Sequence, residues 1–165
     1  QCTPYTLSDY GIRWESHSST IYWIVGLSVV LFFFTRSTAR QAASLAIYPE
    51  IRWSIWSKSV LACSVVTWWL YFIAYELLYR GFLFFACERA LGLTAAIAIN
   101  CAFYCITHIP KGVAEAVGSI PLGVLMCYMT WQTGTIWLAL FAHVALSMFN
   151  LFFSLKYHTD IQVKL

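Results

Sequence analysis

The stretch SVLACSVVTWWLYFIAYELLYRGFLF, residues 59–84, decides how the rest of the chain is read. Its first 17 residues, Ser59 to Tyr75, carry no charge, and a glutamate and an arginine then follow at positions 76 and 80. A bilayer core requires about 20 mostly apolar residues per helix, so this segment reads as membrane-spanning. Its residues do not alternate between apolar and polar, as the strands of a transmembrane barrel do. A helix also satisfies its own backbone polar groups, which lipid demands.

The same pattern recurs on both sides. Ser18–Thr35 and Ala90–Thr107 are charge-free runs of 18 residues, and Ala116–Ala142 is one of 27. Five spans follow, near residues 19–35, 59–79, 92–109, 113–131 and 135–155. The expected fold is all-α, a polytopic transmembrane helical bundle of about five spans. Composition agrees: 10% of residues are charged and mean hydropathy is +0.70, where a soluble domain carries about 25% charged residues. Residues 1–18 read as a polar tail, 19–155 as a single transmembrane domain without internal repeats, and 156–165 as a second polar tail. The first tail lacks the charged start, short apolar run and small-residue site of a signal peptide.

The connections carry their own signals. Between spans one and two, residues 36–58 hold Arg36, Arg40, Arg52 and Lys58, with Trp53 and Trp56 among the cations. This predicts an interfacial helix, broken by Pro49. Gly92 is a candidate C-cap, Pro110 and Gly112 end span three, and Pro121 should kink span four. Lys111, Lys156 and Lys164 join the four cations of the first loop on one side, against Arg13 and Arg89 on the other. Seven against two places the N-terminus outside and the C-terminus in the cytoplasm. The net charge of +3 therefore reflects topology, and no basic groove suggests nucleic acid. Five of the six cysteines fall in apolar stretches of the transmembrane domain, where the thiol packs as a small hydrophobe, and no disulfide framework follows.

Few ionisable residues remain inside the spans: Glu76, Arg80, His108, His143 and, at a margin, Glu115. Each is expensive in lipid and is a functional hypothesis by default. Glu76 and Arg80 stand four apart on one helix face and can pair, either to hold helices together or as part of a catalytic cavity. His108 ends span three. His143 shares a face with Ser147 and Asn150. A glutamate can activate water, and histidines can share its proton or stabilise an oxyanion. Cys101, Cys105 and His108 also align, but no fourth ligand completes a metal site. Zinc held by Glu76, His108 and His143 remains open, although no HExxH helix supports it.

In order, YELLYRG (Tyr75, Glu76, Arg80), YCITH (Tyr104, His108) and HVALS (His143, Ser147) resemble the CPBP family, also called Abi or CAAX-protease-like intramembrane proteases. That family carries EExxxR, FxxxH and HxxxN or HxxxD on successive helices. The resemblance covers residues 60–152, with 32 residues from Glu76 to His108 and 35 from there to His143. It implies an intramembrane endopeptidase acting on a membrane-associated peptide or protein, with lipid around it and a bacterial cell membrane as its location. Catalysis would rest on Glu76, His108 and His143, supported by Arg80, Glu115, Ser147 and Asn150, with no cofactor.

Three departures temper that. Tyr75 stands where the family has its first glutamate, Tyr104 replaces phenylalanine, and Ser147 replaces asparagine, with Asn150 one turn on. Glu115, seven residues after His108, is a second candidate base. The alternative is a catalytically inactive relative, an accessory or scaffold subunit binding a membrane-protein partner. For a shared site, either span two continues as helix through GFLFFACERALG, residues 81–92, so that Glu76 reaches mid-depth, or the helices are broken.

Overall fold

The computed structural model describes residues 4–13 and 18–164. Five helices are long and apolar enough to cross a membrane: Thr20–Thr38, Lys58–Leu91, Leu93–Lys111, Val113–Thr133 and Trp137–Tyr157. The molecule is thus an all-α polytopic bundle and an integral membrane protein. Its regular elements are α1 (Ser18–Thr38), α2 (Ala42–Ile47), β1 (Ile55–Ser57), α3 (Lys58–Glu76), α4 (Phe84–Leu91), α5 (Leu93–His108), α6 (Val113–Thr133), α7 (Trp137–Tyr157) and β2 (Gln162–Lys164).

Span two does continue. A π-helical segment, Leu77–Leu83, joins α3 to α4 without a break, making a helix of 34 residues, about 50 Å long at 1.5 Å per residue. Gly92 ends it at φ +82°, a conformation that favours glycine. At the end of α5, Ile109–Lys111 tightens into a 3₁₀ turn before Gly112. Pro121 sits inside an α6 that runs unbroken through it.

The chain divides into two compact units, Gln1–Ile21 with Ile73–Leu140, and Tyr22–Phe72 with Phe141–Leu165. In the first, α5 packs on α4 and α6 around Phe84, Ala96 and Cys127. Gly123 lets α6 come close, since a Cβ there would stand 3.1 Å from the Tyr104 ring and 3.3 Å from the Cys101 sulfur. Near the N-terminus a 3₁₀ turn, Leu7–Tyr10, rests on the same unit. Arg89 donates to the Asp9 carbonyl at 2.8 Å and lies over the Tyr5 and Tyr10 rings.

In the second unit Phe32 packs edge-on to Phe149 and beside Phe153. On α1, Tyr22, Trp23, Val30, Phe33 and Phe34 stay exposed, a continuous apolar surface of the kind lipid covers. Between spans one and two the expected helix forms, but without the two tryptophans. The helix there is short, Ala42–Ile47, and ends before Pro49, whose ring disfavours helical backbone in the preceding residue. Trp53 and Trp56 are not on it. Trp53 is exposed, while Trp56 is buried in β1, which pairs in parallel with β2. The period-2 alternation of a strand turns Trp56 inward.

Candidate active site in the membrane span

Glu76 is the last residue of α3 and Arg80 the fourth residue of the π segment. Both side chains are wholly buried, with Arg80 Nε 3.4 Å from Glu76 Oε2. Such a pair in a dry interior is a weak source of stability but a strong constraint, because removing either charge strands the other. Further contacts hold the guanidinium. Its Cζ lies 4.4 Å from the centre of the Tyr104 ring, and Nη2 donates to the Met126 sulfur at 3.5 Å.

The π segment has a partner that the sequence reading missed. The Asn100 side chain donates to the Tyr79 carbonyl at 2.6 Å and accepts from the Cys127 thiol at 3.2 Å. Asn100 is completely buried. A lone asparagine in an apolar span was the available signal, since a buried amide needs partners.

One face of α5 carries Asn100, Tyr104 and His108 at successive four-residue steps. The His108 ring lies 4.5 Å from the Tyr104 ring, and His108 Nδ1 is 2.8 Å from the Tyr104 carbonyl oxygen. In the first unit, therefore, Glu76, Arg80, Tyr104 and His108 form a connected series. Tyr75, at the family's first glutamate position, hydrogen-bonds through its hydroxyl to that of Thr107 at 2.8 Å and stacks on Tyr79. Glu115 is half-buried in the first turn of α6, where the helix dipole favours a carboxylate.

His143, Ser147 and Asn150 belong to the second unit. The buried His143 ring lies 4.3 Å from that of Phe72, which stacks in turn on Trp68. Ser147, one turn on, lines a small cavity, and Asn150 is half-buried. Among the described residues no three His, Cys, Asp or Glu side chains gather closely enough to hold a metal ion. Cys63, Cys87, Cys101, Cys105 and Cys127 are free thiols.

The described residues thus hold a buried carboxylate–guanidinium pair in one apolar helix and a histidine on the helix that follows it. The type II CAAX prenyl endopeptidase Rce1-like family matches residues 56–149, more than half of the chain. The chain belongs to that family, within the CPBP group. The matched region runs from β1 into α7 and takes in Glu76, Arg80, His108, Glu115, His143 and Ser147, stopping one residue short of Asn150. No curated protein and no solved structure matches the chain.

Proposed function

We propose that this protein is an intramembrane endopeptidase that cleaves a peptide bond of a membrane-associated peptide or protein. Glu76 takes a proton from a water molecule, whose oxygen bonds to the scissile carbonyl carbon. His108 and His143 donate hydrogen bonds to the resulting oxyanion. The proton then passes to the leaving amine as the carbon–nitrogen bond breaks. Arg80 orients the carboxylate, Ser147 and Asn150 support His143 on its helix, and Glu115 is the second candidate base. The mechanism needs no metal. The observation that carries this reading is the wholly buried Glu76–Arg80 pair, linked through Tyr104 to His108.

A specific observation favours a second reading. The Tyr75 hydroxyl is tied to Thr107 and a phenol is no carboxylate, so the family's first acidic position is chemically silent. An inactive relative that scaffolds a membrane-protein partner would tolerate that change.

Cleavage of prenylated and unprenylated reporter peptides by the purified chain in lipid vesicles separates the two. For the enzyme, His108→Ala lowers kcat/KM by about 100-fold or more while thermal unfolding in detergent stays unchanged, and Glu76→Gln abolishes cleavage with a lowered thermal midpoint, because it strands the buried Arg80. An inert wild-type chain that still retains a membrane partner through both substitutions establishes the scaffold.

A further inference from the structure

In the second unit, α1 and α7 finish side by side. Phe32 of α1 packs on Phe149 and Phe153 of α7. Just past α1, the Arg40 guanidinium carbon lies 4.8 Å from the centre of the ring of Tyr157, the last residue of α7. Lys156 brings a second cation to the same ring, with Nζ 5.8 Å from its centre. Arg36, in the last turn of α1, adds a third, and all three cations are exposed. Among the described residues no carboxylate pairs with Arg40 or Lys156. The acidic side chains of this unit, Asp160 and Glu50, are placed elsewhere. Asp160 is 2.7 Å from His158, and Glu50 lines the cavity beside Ser147.

Helix ends account for part of this. The macrodipole favours a cation in the last turn of its own helix, which covers Arg36 and Lys156 separately. It does not cover Arg40, which lies beyond its helix and crosses to the other one, where Lys156 already stands. Like charges gathered at one ring repel, and an exposed ring face offsets little of that. An anion shared between them removes the repulsion. Just before these cations, both helices turn apolar rings outward: Phe33 and Phe34 on α1 and Phe152 on α7 are each more than half exposed. A cationic crown above exposed rings matches an amphiphile with an anionic head and hydrocarbon tails. Free phosphate would use the crown and leave the rings bare.

We propose that Arg40 and Lys156, with Arg36, hold the phosphodiester of an anionic phospholipid beside Tyr157, its acyl chains lying along Phe33, Phe34 and Phe152. The guanidinium offers a planar fork of donors to the phosphate oxygens and the ammonium a point charge. The site belongs to the lipid-facing surface and holds whether or not the chain is an active protease.

Native mass spectrometry of the full chain, released from micelles containing equal phosphatidylglycerol and zwitterionic phosphatidylcholine, reads the preference directly. Each cation near an anionic headgroup contributes about a fivefold preference. Wild type should therefore retain phosphatidylglycerol over phosphatidylcholine by about 25-fold or more, and Arg40→Gln and Lys156→Gln should each lower the ratio about fivefold. Removing the same charge from two other exposed cations of the unit, with Lys58→Gln and Lys164→Gln together, should leave the ratio unchanged. Equal retention of the two lipids overturns the proposal. So does an equal loss in the Lys58 and Lys164 double variant, which would mean that bulk charge attracts the lipid. Displacement of the lipid by a tenfold excess of inorganic phosphate would assign the cations to a free anion and overturn the lipid site as well.

Discussion

Arg80 is wholly buried, and the groups that hold it include one carboxylate, one ring face and one sulfur. Arg80→Ala leaves Glu76 charged and buried, and uncompensated buried charges cost about 3–5 kcal/mol. The expected outcome is a large drop in thermal midpoint in detergent, together with loss of any cleavage. Tyr75→Phe isolates a smaller quantity. It removes the hydroxyl's bond to Thr107, about 0.5–1.5 kcal/mol, and a protease using Glu76 keeps its activity. If cleavage instead falls 100-fold with Tyr75→Phe at unchanged stability, the hydroxyl takes part in the chemistry and the assignment of Glu76 as base is wrong.

Among the elements, the π segment depends most visibly on a neighbour. Asn100→Leu removes the donor to the Tyr79 carbonyl, and a buried acceptor left unsatisfied costs about 1–3 kcal/mol. Hydrogen exchange of amides 77–83 should speed up in this variant while those of α7 do not change; equal effects on both helices would refute a local role. Here the limits of sequence are also plain. Charge-free runs, Gly92 and the Pro110–Gly112 pair marked the spans, because lipid tolerates few exceptions. The i→i+5 spacing at 77–83 was not legible, as its residues are as compatible with an α-helix. Asn100 was not legible either, since it carries no charge and lies outside all three motifs. The inward turn of Trp56 depends on pairing with a strand 107 positions later, which no local pattern encodes. Glu76, Arg80 and His108 were legible individually. That Tyr104 joins them was not, since a tyrosine in an apolar span reads as packing.

For the whole molecule, five apolar helices and an exposed apolar face on α1 make a bilayer the natural environment. The asymmetry of seven cations against two across the loops predicts which way it is inserted. A membrane-impermeant reagent applied to intact cells should modify a cysteine introduced at Ser8 and leave one introduced at Thr159 untouched. The reverse pattern would mean that the charge bias does not set the orientation.

The π segment also makes the spacing of the chain unusually unforgiving. An α-helix advances about 100° per residue, so an i→i+5 stretch accommodates extra residues without unwinding the helix around them. Delete Leu78 while residues 77–83 keep their i→i+5 bonds, and everything after them turns by roughly a quarter revolution. Arg80 would leave the Tyr104 ring, and Arg89 would be drawn off Tyr5, Tyr10 and the Asp9 carbonyl. In this stretch a deletion of one residue is therefore more damaging than most substitutions, and the distance in residues from Glu76 to Gly92 is as much a part of the design as their identities.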